Sequence, residues 1–163
     1  MNFLGWFRTN RTARTAPLGL GSAPRLADIH ANAFTRPWGT EEFERFLSER
    51  NILSDGLFIG PRQEPTGFIL SRKGGDEAEI LSIAIAPEAR GRGHAGMLLD
   101  RHLQTLTQAG VRKVFLEAEE GNRPALKLYR RRGFREVGRR AGYYARPDGS
   151  RATQAMSAAG LAS

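Results

Sequence analysis

The 163-residue chain contains no cysteine. A disulfide framework, a thiolate metal site and a cysteine nucleophile are therefore excluded, and the composition is compatible with a reducing compartment. The only histidines are His30, His94 and His102, and their spacing is not that of zinc ligands, so no metal site is expected. No apolar run approaches the roughly 18 residues that a membrane-spanning helix needs. We therefore expect a soluble protein.

Acidic residues are missing from the first 27 positions, which carry four arginines before the first acidic residue, Asp28. A basic stretch with scattered apolar residues has part of the composition of an organellar transit peptide, but it lacks the serine richness of one. We therefore expect residues 1–14 to form an N-terminal extension and the protein to be cytoplasmic. Organellar targeting is the alternative.

Positive charge is in excess, with a formal net charge of +8. This balance favours anionic partners, whether a phosphorylated cofactor, nucleic acid or an acidic protein surface. The length and a hydrophobic content of 40% fit one compact domain. We expect this domain to cover residues 15–157, followed by a short tail at residues 158–163.

The hydrophobic pattern predicts a mixed α/β domain. Ser22, Thr40 and Asn122 are suited to cap the starts of three helices, and Gly110 and Gly133 to end two of the predicted helices. Branched and aromatic residues predict strands at 15–20, 52–59, 66–72, 78–86, 111–118 and 134–137. The strand at 78–86 is apolar on both faces and should be central. A last strand, at the edge of the sheet, is expected after residue 151.

A glycine-rich basic turn, Arg90-Gly91-Arg92-Gly93-His94-Ala95, lies between the central strand and the next helix. Its glycines allow a tight turn with inward N–H groups, and a helix start adds partial positive charge, so a pyrophosphate could bind there. Arg90 and Arg92 would add charge-assisted contacts. The alternative is an ordinary glycine-rich connection. The turn is neither a Walker loop nor a dinucleotide fingerprint, which disfavours nucleotide triphosphates and nicotinamide cofactors.

Two further residues could perform proton transfer. Glu117 alternates with Val114 and Leu116 in its strand and lies near the strand's C-terminal end, where open α/β sheets place their sites. It is a candidate general base, or simply an acidic strand end. Tyr129 falls on the buried side of its helix, four residues after Ala125, and is either a proton donor or a core tyrosine.

Residues 79–144 resemble the GNAT superfamily of N-acetyltransferases, and within it the RimI-type enzymes that acetylate the N-terminal alanine of a small-subunit ribosomal protein. The matching segments are the strand Ile83-Ala84-Ile85-Ala86-Pro87, the basic turn at 90–95, Leu116-Glu117-Ala118, Gly121-Asn122, Ala125-Leu126-Lys127-Leu128-Tyr129 and Gly133-Phe134. Phe34 with Pro37-Trp38, and Tyr143-Tyr144 with Asp148-Gly149, are similar to the substrate-side segments of these enzymes. Two extra residues between Phe34 and Pro37 depart from that pattern.

The resemblance implies a GNAT fold, with a mixed, mostly antiparallel central sheet and helices on both faces. It implies acetyl-coenzyme A as cosubstrate, Glu117 as the base and Tyr129 as the acid. The implied cofactor-binding residues are Ile83, Ala84, Ile85, Arg90, Gly91, Arg92, Gly93, His94, Ala95 and Asn122. The implied substrate-binding residues are Phe34, Trp38, Tyr143 and Tyr144. The expected acceptor is a protein N-terminus, such as that of a ribosomal protein, and the expected state is a monomer.

Two alternatives remain open from the sequence. The same fold could acetylate a lysine side chain, a polyamine or another small-molecule amine. The arginines between Arg112 and Arg151 could instead mark an RNA- or ribosome-binding module. No platform of interleaved aromatic residues for base stacking is visible among them, so we expect no direct binding of nucleic acid.

Overall fold

The computed structural model describes residues 12–145 and 151–161, and the side chains of residues 12–139 and 159–161. The strands are β1 Ala13–Pro17, β2 Ile52–Ile59, β3 Gly67–Gly74, β4 Glu77–Ile85, β5 Lys113–Glu119, β6 Arg135–Ala145 and β7 Arg151–Gly160. The helices are α1 Ala23–Ala31, α2 Thr40–Ser48, α3 His94–Gln108 and α4 Arg123–Arg130. Among the described residues, no helix is long and apolar enough to cross a membrane.

The seven strands form one sheet in the order β1-β2-β3-β4-β5-β7-β6. Every neighbouring pair is antiparallel except β4 and β5, which run parallel. A parallel pair needs a crossover connection, and α3 supplies it. The predicted mixed, mostly antiparallel sheet is confirmed.

The sheet is covered on both faces because its central strands alternate apolar residues between two clusters. Ile69 of β3 packs into a cluster that includes residues of α3 and α4, which we call the α3–α4 cluster. Its neighbours Phe68 and Leu70 pack on the other face with residues of α1 and α2, the α1–α2 cluster. Helices therefore lie on both faces, as expected.

The parallel pair β4–β5 separates along its length. The strands pair from Glu77 and Lys113 only as far as Ile80 and Leu116. Next to this point, the β3–β4 register shifts so that Leu81 has no residue opposite it. A bulge of this kind bends its strand and increases its twist. Residues 81–85 of β4 and 117–119 of β5 therefore enclose an opening, which we call the β4–β5 gap.

A buried polar network fixes α3 to the sheet. In α3, Nε2 of His102 lies 2.7 Å from the Ser71 hydroxyl, and Nδ1 of the same ring lies 2.7 Å from the Asp55 carboxylate. All three side chains are buried, and they join α3 to β2 and β3. Because a buried polar group without its partner is costly, the network specifies how α3 lies on the sheet.

Some predicted boundaries are wrong. The N-cap of α2 is Gly39, and Thr40 is its first helical residue. The last strand exists, but it is not an edge strand: β7 lies between β5 and β6, and β6 forms the edge. Low apolar content suggested an edge, yet a strand's place in a sheet depends on its neighbours as well as on its own side chains. The strands also extend past the expected domain bounds, from Ala13 to Gly160.

One histidine lies at the centre of the α1–α2 cluster. His30 is 3% exposed, and its ring is surrounded by Phe34, Trp38, Phe43 and Phe68. Its Nδ1 accepts a hydrogen bond from the Trp38 backbone N–H at 2.9 Å, so this nitrogen carries no proton. Burial lowers the pKa of His30 from 6.5 to about 4.

This lowered pKa predicts a loss of stability in mild acid. The folded state holds His30 neutral, so the stabilisation is complete above the unfolded pKa of 6.5 and is lost as the pH falls towards the folded value of about 4. From pH 7 to pH 5, linkage predicts a loss of about 2 kcal/mol from this residue. Urea unfolding of the wild type and of His30→Phe at both pH values measures it. The wild type should lose more stability than the variant; equal losses would contradict the assignment.

Candidate active site

The β4–β5 gap leaves one backbone edge of β4 open. On its other edge, Ile83, Ala84 and Ile85 pair with Ile69, Phe68 and Gly67 of β3. On the gap side, the described β5 residues no longer pair with them. An open strand edge binds extended ligands through N–H and C=O groups, as in β-strand addition. Ile83, Ala84 and Ile85 were predicted to bind the cofactor. The structure gives them an open backbone edge, to which the amide groups of the coenzyme A arm could bind.

The glycine-rich turn at the end of β4 leads directly into α3. Gly91 and Gly93 have φ values of 77° and 76°, and Gly93 is the N-cap of the helix. In this left-handed region a residue with a side chain would be strained. Apart from their chain neighbours, none of the described residues has an atom within 4 Å of the position that a Cβ would take at either glycine, so space for a ligand remains beside the backbone. His94 and Ala95 begin α3, whose first N–H groups lack partners within the helix and suit a pyrophosphate.

Arg90 is held by backbone carbonyls in this structure. Its Nε donates to the Ile85 carbonyl at 2.9 Å, and an Nη donates to the Asn32 carbonyl at 3.3 Å. The side chain therefore connects the end of β4 with the chain that follows α1. Sequence reasoning missed these partners, because they lie 5 and 58 residues away and no local pattern marks them. Phosphate binding by Arg90 and by the exposed Arg92 remains a prediction.

Glu117 and Tyr129 lie on opposite faces of the sheet. Val114, Leu116 and Ala118 point into the α3–α4 cluster, so Glu117 points to the face of α1 and α2 and is half-buried. Tyr129 is itself a member of the α3–α4 cluster, 7% exposed, with its ring 5.7 Å from that of Phe134. A carboxylate thus lies on one side of the sheet and a phenol on the other.

A cavity of about 590 Å³ adjoins Glu117. Its lining residues are Asn51, Arg72, Lys73, Gly74, Glu77, Ala78, Glu79, Phe115, Leu116 and Glu117. The carboxylate of Glu117 therefore borders a ligand-sized space that lies towards the β3–β4 turn, where β4 and β5 are paired, and not at residues 83–85.

The helix that carries Tyr129 is fixed at both ends. At its start, the Asn122 side chain accepts a hydrogen bond from the Ala125 N–H at 3.3 Å, so the predicted cap is confirmed. At its end, the Arg132 guanidinium makes two bonds to the Asp100 carboxylate, at 2.6 and 3.2 Å. A Cβ added to Gly96 would lie 2.5 Å from that guanidinium, so a side chain there would require the guanidinium to shift. Sequence reasoning missed this clamp between α3 and α4, because Arg132 and Asp100 lie 32 positions apart and no local pattern marks the pair.

The predicted substrate-side residues are partly described. Phe34 and Trp38 lie in the loop of residues 32–39, which we call the α1–α2 loop; Phe34 is 42% exposed and Trp38 is half-buried. Both pack around His30 on the face towards which Glu117 points. Tyr143 and Tyr144 belong to β6, and their side chains lie outside the described residues. So do Asp148 and Gly149.

Comparison with known proteins agrees with this geometry. The model of the acetyltransferase (GNAT) family matches residues 23–134. The chain is 33% identical over 127 residues to the ribosomal protein bS18-alanine N-acetyltransferase of Haemophilus influenzae, covering 78% of this chain and 84% of that protein. It is 35% identical over 146 residues to the N-alpha-acetyltransferase RimI of Mycobacterium tuberculosis, covering 82% and 88%.

A solved structure shares the fold over almost the whole chain. The crystal structure of the ribosomal-protein-S18-alanine N-acetyltransferase from Escherichia coli superposes with a TM-score of 0.85 at 25% sequence identity, covering 93% of this chain and 96% of that one. The family model covers more than half of the chain, and the mixed, mostly antiparallel sheet with helices on both faces is the fold that the resemblance implied. The chain therefore belongs to the GNAT family of acetyl-coenzyme A-dependent N-acetyltransferases.

Proposed function

We propose that the protein transfers the acetyl group of acetyl-coenzyme A to the N-terminal α-amino group of a protein, of the ribosomal-protein alanine type. The relatives from Haemophilus influenzae and Mycobacterium tuberculosis support an N-terminal acceptor by their names. The observation that carries the proposal is the open backbone edge of β4 opposite the strand of Glu117, with Tyr129 buried on the other face of the sheet. An amine can approach from one face while the leaving group is protonated from the other.

The chain offers separate groups for each part of the cosubstrate. The N–H groups of Gly91, Gly93 and the first turn of α3 would hold the pyrophosphate. The open backbone edge at residues 83–85 would hold the pantetheine arm and stabilise charge on the thioester oxygen. Asn122 caps α4 at the same end of the fold, and we include it among the cofactor contacts. Acetyl-coenzyme A supplies the acetyl group as a thioester.

Glu117 would accept the proton of the attacking amine. A peptide α-amino group has a pKa of about 7.7 to 8.0, so a sizeable fraction is already neutral near pH 7 and a strong base is not needed. The amine nitrogen forms a bond to the acetyl carbon, and the carbon–sulfur bond breaks. Tyr129 would donate its hydroxyl proton to the departing thiolate. The products are an N-acetylated terminus and free coenzyme A.

The acceptor would be bound on the α1–α2 face. We propose that Phe34 and Trp38 contact its first residues, together with Tyr143 and Tyr144 of β6. Glu120, an acidic residue near the end of β5, already forms an ion pair with Arg139. Glu120 is therefore less available to attract a basic peptide.

A peptide panel tests the proposed acceptor. Peptides with Ala, Ser, Gly or Met first, each with one internal lysine, are incubated with acetyl-coenzyme A and analysed by fragmentation mass spectrometry. We expect acetylation at the α-amino group, fastest for alanine. Acetylation only at the lysine would replace the proposal with a lysine acetyltransferase. Acetylation of neither amine, with a polyamine accepted instead, would indicate a small-molecule enzyme.

Substitutions at the two proposed proton-transfer residues test their roles. Glu117→Gln and Tyr129→Phe should each lower kcat by about 100-fold, because general acid–base groups contribute roughly 10²- to 10⁴-fold. The affinity for acetyl-coenzyme A, measured by calorimetry, should change little. Glu119→Gln provides a matched control, since Glu119 lies two residues further along the same face of β5 and should retain activity within a few-fold. Wild-type kcat in either proposed variant would contradict its role.

A further inference from the structure

The α1–α2 loop is hydrogen-bonded at both ends to one residue. At the start of the loop, the backbone N–H groups of Ala33 and Phe34 donate to the His30 carbonyl, each at 3.0 Å. Near its end, the Trp38 N–H donates to Nδ1 of the His30 ring at 2.9 Å. Three hydrogen bonds therefore close this loop onto the last turn of α1, and the ring makes the one that joins the two sides.

The two proposed acceptor-binding side chains also stack on the same ring. Phe34 lies 4.2 Å from the His30 centroid with planes 24° apart, and Trp38 lies 4.7 Å away with planes 12° apart. Stacked aromatic rings at these distances attract one another. The imidazole therefore sets the spacing between Phe34 and Trp38 as well as the path of the backbone between them.

The other side chains that pack against the His30 ring are uncharged aromatic residues. Phe43 of α2 presents its edge at 5.6 Å, and Phe68 of β3 lies at 6.3 Å. Since Nδ1 accepts, Nε2 carries the proton of the neutral tautomer. His30 is 3% exposed, so a bound acceptor would reach the rings on either side of it and not the imidazole itself.

We propose that His30 is a positioning residue for acceptor binding: by accepting the Trp38 N–H and stacking between Phe34 and Trp38, it holds the α1–α2 loop in its acceptor-binding shape. The inference rests on the proposed function, in which Phe34 and Trp38 contact the acceptor. We expect His30 to affect the affinity for the acceptor and not the rate of acetyl transfer, because Glu117 and the β4–β5 gap belong to other elements. The cofactor-binding turn meets the loop at Asn32, whose carbonyl accepts from Arg90 at 3.3 Å, and this bond does not involve the His30 ring.

Two substitutions separate the hydrogen bond from the ring. His30→Phe keeps a stacking ring but leaves the Trp38 N–H without its acceptor. His30→Asn removes the ring but places an amide oxygen near the position of Nδ1. In His30→Phe, we expect KM for the acceptor peptide to rise about 5- to 10-fold, with kcat and KM for acetyl-coenzyme A within about 2-fold. In His30→Asn, we expect a smaller rise. Hydrogen exchange of the segment 33–39 should be faster in His30→Phe than in the wild type.

Leu106→Ala provides the control for general destabilisation. Leu106 is fully buried in α3 in the α3–α4 cluster, away from the loop, so this variant should lose stability without changing KM for the peptide. Parallel rises in both KM values, or a wild-type KM for the peptide in His30→Phe, would overturn the inference. If the wild type itself acetylates no peptide terminus, the proposed function fails; the exchange rate of segment 33–39 then still reports whether His30 holds the loop.

Discussion

The active site depends on the point at which β4 and β5 stop pairing. The two strands run parallel from Glu77 and Lys113 but separate beyond Ile80 and Leu116. A sheet normally satisfies its backbone groups within itself, and an open edge inside a sheet is therefore a place for a ligand. The bulge at Leu81 gives a physical reason for the separation, since an unpaired residue bends its strand. A short 3-10 turn at Pro87–Ala89 connects the bent strand to the glycine-rich turn, which opens α3.

The elements around this gap are held by different interactions. The buried network of Ser71, His102 and Asp55 fixes α3, and thereby the helix start that would receive the pyrophosphate. The clamp of Arg132 on Asp100, over Gly96, fixes α4 and the phenol of Tyr129 against α3. On the opposite face, an aromatic cluster around His30 holds the α1–α2 loop. In the proposed function, the acceptor is therefore bound on one face of the sheet and the leaving thiolate is protonated from the other.

Features that depend on local sequence could be predicted. The cap at Asn122, the alternation that turns Glu117 away from Leu116, and the helical spacing that buries Tyr129 each involve residues a few positions apart. The turn at 90–95 was located correctly for the same reason, because glycines with positive φ are marked by residue type.

Features that depend on residues far apart in the sequence could not be predicted. The placement of Glu117 and Tyr129 on opposite faces follows from which helices cover which side of the sheet. The insertion of β7 between β5 and β6 follows from strand pairing, which its alanine-rich sequence does not specify. The bonds from Arg90 to Asn32 and from Arg132 to Asp100 join residues 58 and 32 positions apart. Their partners are known only when the fold brings them together.

Hydrogen exchange at single-residue resolution, with and without saturating acetyl-coenzyme A, measures most directly whether the β4–β5 gap receives the cofactor. The account predicts slower exchange at backbone amides within 83–85 on the open edge of β4 and within 91–96 at the start of α3, while the amides of α2 and β2 keep their rates. Protection confined to other elements, or unchanged exchange in both segments at saturation, would contradict it.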